Sequence, residues 1–151
     1  MRLVVQRVSG ATVRADGVPL GQIGRGAMVL VGMAAGDRPE VVDRMAAKLI
    51  GLRYFEDAAG RTNLALADVN GALLVVSQFT LLADVRHGRR PGFTDAAAPD
   101  VAEELVERFV ARLREAGVEV ATGRFGAVME VELVNDGPFT LVIDSERDLG
   151  N

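Results

Sequence analysis

Two stretches without a single charge, AMVLVGMA at 27–34 and GALLVVSQFTL at 71–81, constrain this chain more than anything else in it. Both read as buried strands, and a run that is apolar at every position needs a cover on each face. Helices can supply only part of that cover. Val42, Met45, Leu49 and Leu52 share one helical face and predict a helix from about Pro39 to Leu52. Asp37 is its expected N-cap, with Glu40 completing a variant capping box and Gly51 marking the frayed end. Val101, Leu105, Phe109 and Leu113 recur at every fourth position and predict a second helix. Pro99 stands in its first turn, and Asp100, Glu103 and Glu104 lie at the positive end of the macrodipole. Arg112 and Arg114 lie at the negative end, and Gly117 closes it.

The remainder reads as strand. Residues 2–8 and 11–15 are β-branched runs parted by Ser9-Gly10, a hairpin-like break, and 53–63 is a short strand and turn. In 128–134, Met129, Val131 and Leu133 alternate with Glu130 and Glu132, as in a half-solvated strand. FTLVID follows the turn Asn135-Asp136-Gly137-Pro138. Two helices cannot cover both faces of every strand, so a second sheet must do the rest. The expected class is α/β: a single-domain β/β/α three-layer fold over residues 1–151, with mixed sheets and two main helices.

Composition removes several chemistries. The chain has no Cys, which excludes disulfides, thiolate nucleophiles and sulfur-ligated zinc or iron. No basic segment leads into a long apolar run, and no run reaches the roughly 20 apolar residues that span a bilayer. A cytoplasmic protein with no membrane partner is expected. A net charge of −4 argues against coating nucleic acid by bulk attraction. It leaves room for a local patch, and Arg86, Arg89 and Arg90 fall within five consecutive residues. They form either a solvated loop or an RNA contact. A Ser-His-Asp triad would need His87 as base with Ser77 or Thr80 as nucleophile, yet His87 lies among cations that depress its basicity. One His, no Cys and scattered carboxylates make no convincing ligand set, so neither metal nor cofactor is expected. The glycines of GQIGRG, 21–26, have no Lys-Ser/Thr after them and read as turns.

Two segments stay chemically odd for their setting. Ser77-Gln78-Phe79-Thr80-Leu81 is a polar interruption at the end of an apolar strand. Burying its hydroxyl and amide groups unpaired would cost about 1–3 kcal/mol each. It either runs out into solvent or faces a ligand. Asn135-Asp136-Gly137-Pro138-Phe139-Thr140 is either a plain β-turn or a place for a cis peptide, which about 5–6% of X-Pro bonds adopt.

Taken together, SQFTL at 77–81 and N-x-G-P-x-T at 135–140 resemble the paired signatures of the D-aminoacyl-tRNA deacylase family. The likeness continues in RLVVQRV at the start, in RHGRRPGF and in the last strand, and so covers almost the whole chain. Phe139 departs from it, standing where a smaller aliphatic residue is expected.

The resemblance implies an enzyme that hydrolyses the ester of D-aminoacyl-tRNA, releasing free D-amino acid and tRNA without a cofactor. It implies a homodimer in which a cis Gly137-Pro138 turn enters the partner's active site. There its carbonyl oxygens reject L-aminoacyl esters by clash and exclude glycine only imperfectly. Arg7 would brace that turn. Ser77, Gln78, Phe79 and Thr80 would line the pocket for the aminoacyl group and terminal adenosine, with backbone N–H groups near Phe79 and Thr80 as oxyanion donors. Met129 would add to the adenosine pocket, or else be plain core. Arg86, Arg89 and Arg90 would meet the tRNA. Thr80 is either a nucleophile or polar orienter, or a bystander while the tRNA 2′-hydroxyl assists. Two rival functions remain at this point: a noncatalytic tRNA-binding module, and a small-molecule esterase using Ser77 and His87.

Overall fold

A computed structural model describes residues 1–150. Its organising element is β1, Arg2–Ala15, which serves three other strands. On one edge it pairs antiparallel with β3, Gly26–Gly32, along Arg2–Val8, and then with β2, Val18–Ile23, along Ala11–Ala15. On the other edge β8, Glu130–Asp144, runs antiparallel to it from Arg2 to Arg14. Beyond β3 the sheet turns parallel, through β6, Ala72–Ser77, to β7, Val120–Thr122. The sheet is therefore mixed. It also curls, because a Cβ on Gly21 of β2 would sit 2.7 Å from the Thr122 carbonyl oxygen of β7. A separate hairpin of β4, Arg53–Glu56, and β5, Thr62–Ala65, lies outside it. Helices α1, Pro39–Gly51, and α2, Pro99–Glu115, complete the layers, with a short α3 at Ser145–Asp148.

Both faces of the central strands are covered, as their uninterrupted apolarity requires. Val29 and Val31 of β3 and Leu73 and Val75 of β6 join Met45 and Leu49 of α1 and Phe109 and Leu113 of α2 in one core. Met28, Leu74 and Val76, from the alternate positions, join Val8, Val13 and Ile23 in a second core inside the curl. The β/β/α architecture follows from that double demand.

Local expectations needed four corrections. Ser9-Gly10 does not break β1; the pairing with β8 slips between Gln6 and Val8 and again between Val8 and Gly10. This irregularity moves the buried side chains from the helix-side core (Leu3, Val5) to the inner one (Val8, Val13). Asp37 does not cap α1. Its carboxylate is buried on the Met1 ammonium at 2.7 Å and the Ala34 amide at 2.6 Å, and Arg38 takes the cap position without a side-chain bond. A buried charge is satisfied by an opposite charge before it serves a helix end. Val101 is exposed, and α2 buries Ala102, Leu105, Phe109, Val110 and Leu113. Strict fourfold spacing drifts around a helix of 3.6 residues per turn, so the first member of the series falls off the face. Finally, β6 stops at Ser77, and Phe79–Leu82 is a 3₁₀ turn. No helix is long and apolar enough to cross a membrane among the described residues.

Candidate active site

The polar interruption of β6 is the place where the strand becomes a turn. The Gln78 amide still donates to the Val31 carbonyl at 2.7 Å, the last rung beside β3. The chain then folds into the 3₁₀ turn, whose first amides, Phe79 and Thr80, have no acceptor among the described residues. Such leading N–H groups are unpaired in any helical turn and point outward along its axis. The Gln78 side-chain amide donates to Thr80 Oγ1, fixing both side chains at the rim.

Beside this turn opens a cavity of about 800 Å³. Ser77, Gln78 and Phe79 form one wall, Phe93 and the following loop a second, and Met129 a third. Phe79 and Phe93 meet edge to face, their centroids 5.1 Å apart. Most of the lining is apolar, with polar groups gathered at the Ser77–Gln78 end, the usual composition of a small-molecule seat. Met129 lines this cavity and also packs on the inner core. Thr80 is not part of the lining; it stands exposed beside it. Sequence reasoning missed Phe125 and Ala102, which also line the cavity and carry no chemical signature.

The second odd segment is not a turn between two strands. Residues 135–140 belong to β8, but Asn135 pairs with Val8 while Thr140 pairs with Gln6. Four residues, Asp136 to Phe139, therefore face the single residue Arg7 and are pushed out as a bulge. Its base is stapled by the motif's own side chains. Asn135 Oδ1 accepts from the Phe139 amide at 3.0 Å, and Asn135 Nδ2 donates to Thr140 Oγ1 at 3.0 Å. Behind it lies Arg7, only 6% exposed. Arg7 Nε donates to the Asp136 carbonyl at 3.0 Å and Nη1 to the Tyr54 carbonyl at 2.9 Å. Its guanidinium lies 4.7 Å from the Phe139 ring centre, so the departure at position 139 supplies a stacking surface. Gly137 is the only residue type that fits there: its φ is +130°, and a Cβ would lie 2.8 Å from Arg7 Nη2. The Gly137-Pro138 peptide is cis, and both residues are exposed.

No hydrogen bond or ring contact joins the two motifs among the described residues. Gly137 lies six residues along β8 from Val131, the last of its residues at the cavity, a distance of about 20 Å at strand rise.

The arginine-rich loop is anchored next to the cavity. Asp84 and Gly92 exchange backbone bonds of 2.8 Å in both directions, and Phe93 follows directly. Arg86 is engaged by Asp84 through Nε at 2.9 Å and Nη2 at 2.8 Å, which holds the Asp84 carboxyl down at about 2 and raises Arg86. Arg89 and Arg90 are exposed. No hydrogen bond joins His87 to Ser77 or Thr80 among the described residues, and no cluster of three His, Asp or Glu side chains that could hold a metal occurs there.

Fold and cavity place the chain in a class already known from solved structures. It superposes with a TM-score of 0.90 on a chain described as c-Myc DNA Unwinding Element Binding Protein, at 36% identity over 95% of this chain and 98% of that one. A structure described as a probable eukaryotic D-amino acid tRNA deacylase gives 0.83 at 21% identity, over 94% and 97%, and shares the fold. A family model described as D-Tyr-tRNA(Tyr) deacylase matches residues 4–144, and the chain belongs to that family of hydrolytic enzymes. The D-aminoacyl-tRNA deacylase of Anaeromyxobacter dehalogenans is 58% identical over 97% of this chain and 99% of its own length. That of Symbiobacterium thermophilum is 55% identical over 97% of each.

Proposed function

We propose that residues 1–151 form one cytoplasmic deacylase domain that hydrolyses the ester of D-aminoacyl-tRNA and rejects the L ester. The observation that carries this reading is the pair of unclaimed amides at Phe79 and Thr80 beside a largely apolar cavity. The terminal adenosine sits in the cavity among Ser77, Gln78, Phe79 and Met129, and the ester carbonyl lies over the 3₁₀ turn. Water adds to the carbonyl carbon, and negative charge gathers on the carbonyl oxygen, facing the two amides. The carbon–oxygen bond to the ribose then breaks, and the leaving 3′ oxygen takes a proton as the D-amino acid departs. One oxyanion donor contributes about 2.7–4 kcal/mol in other hydrolases. Thr80 Oγ1 is held by Gln78 and has no base beside it, which favours an orienting role, with the tRNA 2′-hydroxyl assisting.

Chirality is read by the main chain of a second subunit. The carbonyls of Gly137 and Pro138 stand on an exposed bulge, about 20 Å from their own cavity at strand rise, and would enter a partner's. There they occupy the space of an L side chain, while a D side chain points outward. Glycine, with no side chain to clash, is cleared as well. A homodimer is supported by β8 itself, a 15-residue strand that among the described residues pairs with β1 alone and exposes Val134 and Val142. An edge of this length and apolarity calls for a partner.

The test is deacylation of matched D- and L-aminoacyl-tRNA. Selective loss of the D ester is expected; release of neither amino acid, with salt-sensitive tRNA binding retained, would replace the enzyme by a binding module. The shared site is tested by mixing a Gly137→Ala chain with a Val106→Trp chain whose cavity is filled. Activity absent from each alone returns in the mixture if the sites form between subunits.

A further inference from the structure

We propose that the RNA strand enters the cavity over the 84–92 loop, with its phosphates on Arg89 and Arg90, and is kept off the adjoining face of α2 by Glu103 and Glu107. The inference rests on the reading of the cavity as the seat of an aminoacylated RNA 3′ end, and adds the direction of entry and the residues that set it.

The two elements that flank Phe93 and Ala102 at the cavity, the 84–92 loop and α2, carry opposite charge on their exposed residues. On one side Phe93 lines the cavity and leads back into the loop closed by Asp84 and Gly92. Of its three arginines, Arg86 is spent on Asp84 through two short bonds, with Asp95 adding to the negative charge around it. It therefore shapes the loop and is a positioning residue. Arg89 and Arg90 are exposed and pair with no carboxylate among the described residues. Within this loop they are the cations free to meet phosphate, which suits the guanidinium fork.

On the other side a smaller cavity of about 270 Å³ shares Ser77, Val106 and Phe125 with the larger one. Glu103 and Glu107 of α2 line it, exposed and without an ion-pair partner among the described residues. Arg114, at the same cavity, turns its Nη2 to the Val120 carbonyl at 2.9 Å. Asp100 and Glu104 add negative charge to the same end of α2. A polyanion approaching a chain of net charge −4 is thus drawn to one rim and repelled from the other. Arrangements of this kind govern orientation and encounter more than affinity.

The experiment follows kcat/KM on D-aminoacyl-tRNA as salt rises from about 50 to 200 mM, the span over which phosphate contacts are lost. Arg89→Ala and Arg90→Ala each lower the log–log salt slope by about 0.7 per phosphate contact removed. Arg86→Ala lowers kcat/KM and leaves the slope where it was, as expected of a residue that acts through the loop. Glu103→Gln and Glu107→Gln raise kcat/KM about two- to threefold at low salt, a gain that fades as salt screens it. Arginine variants with the wild-type slope, or glutamine variants that are slower, overturn the proposal. The D-aminoacyl ester of adenosine alone, which has no phosphate, separates the two levels. If the wild-type enzyme cleaves it and tRNA with equal indifference to salt, the entry route is wrong and the cavity reading stands. If it cleaves neither, the cavity reading itself is lost.

Discussion

The bulge on β8 and the turn after β6 are both short, exposed and built from a six- or five-residue motif, yet they are held in opposite ways. The bulge is fixed by Arg7, which bonds the Asp136 carbonyl and is itself anchored on the Tyr54 carbonyl of β4, by Asn135 across its base, by the Phe139 ring against the guanidinium and by a glycine at a φ that L side chains rarely adopt. The turn is held by the rung to Val31, by Arg2 Nη1 on the Leu81 carbonyl at 2.6 Å and by the Gln78–Thr80 side-chain bond, while the side chain that faces the cavity, Phe79, is 56% exposed. Under the proposed function the difference has a reason: a part that discriminates by clash has to be rigid, because a wall that yields by an ångström rejects nothing. A part that stabilises charge needs only its amides in place, and can leave its side chains to adapt to substrate.

That contrast can be broken most directly at Gly137. Gly137→Ala puts a methyl group 2.8 Å from Arg7 Nη2 at a φ of +130°. Either the guanidinium or the bulge must give way, the φ is strained for an L residue, and kcat/KM on the D ester is expected to fall by about 100-fold, roughly 2.7 kcal/mol. A variant within threefold of wild type would show that the bulge is not rigid. Arg7→Ala removes a buried charge that serves two carbonyls, and should cost about 3 kcal/mol of stability on thermal or denaturant unfolding. Its D-to-L rate ratio should fall further than its rate on the D ester, and Arg7→Lys should not restore it, because an ammonium has no fork to reach both carbonyls. An unchanged ratio would separate the brace from the selectivity.

On the adaptable side the effects are smaller. Thr80→Ala keeps the amides and should retain single-turnover cleavage within about tenfold, below the 10²–10³ loss of an oxyanion donor. A dead variant that still binds substrate would make the hydroxyl chemical. Smallest is the clasp of α1 and α2, remote from both motifs. Asp43 bonds Arg108 at 2.7 Å and Arg112 at 3.0 Å, and these guanidinium groups hold its carboxyl at about 2, below its ordinary value of 3.8. A depressed carboxyl stabilises the fold above its unfolded pKa, and that contribution fades as pH falls from about 4 towards 2. Asp43→Asn should flatten the stability profile in that window and leave the D-to-L ratio alone.

Much of this was legible in the chain. Uninterrupted apolarity at 27–34 and 71–76 demanded two covers, and two amphipathic helices could provide only one of them. The motif at 77–81 was visible as polar residues where burial would have been costly, and that at 135–140 as an X-Pro segment able to hold a cis peptide. The failures share a cause. Asp37 looked like a cap because sequence shows local partners, whereas its actual partner is the amino group of Met1, 36 residues away. Ser9-Gly10 looked like a break because a bulge in one strand is defined by the register of another. Arg86 counted as one of three available cations until Asp84 was seen to hold it.

Sequence by itself therefore determined which segments are strands or helices and which residue types stand at the two motifs, since periodicity and composition act along the chain. Tertiary structure alone decided that Arg7 lies behind Gly137, that Phe79 and Phe93 meet at a cavity, and that four residues of β8 bulge out opposite one of β1. Those facts depend on strand register and packing between residues distant in the chain, and no local pattern encodes a distance through space.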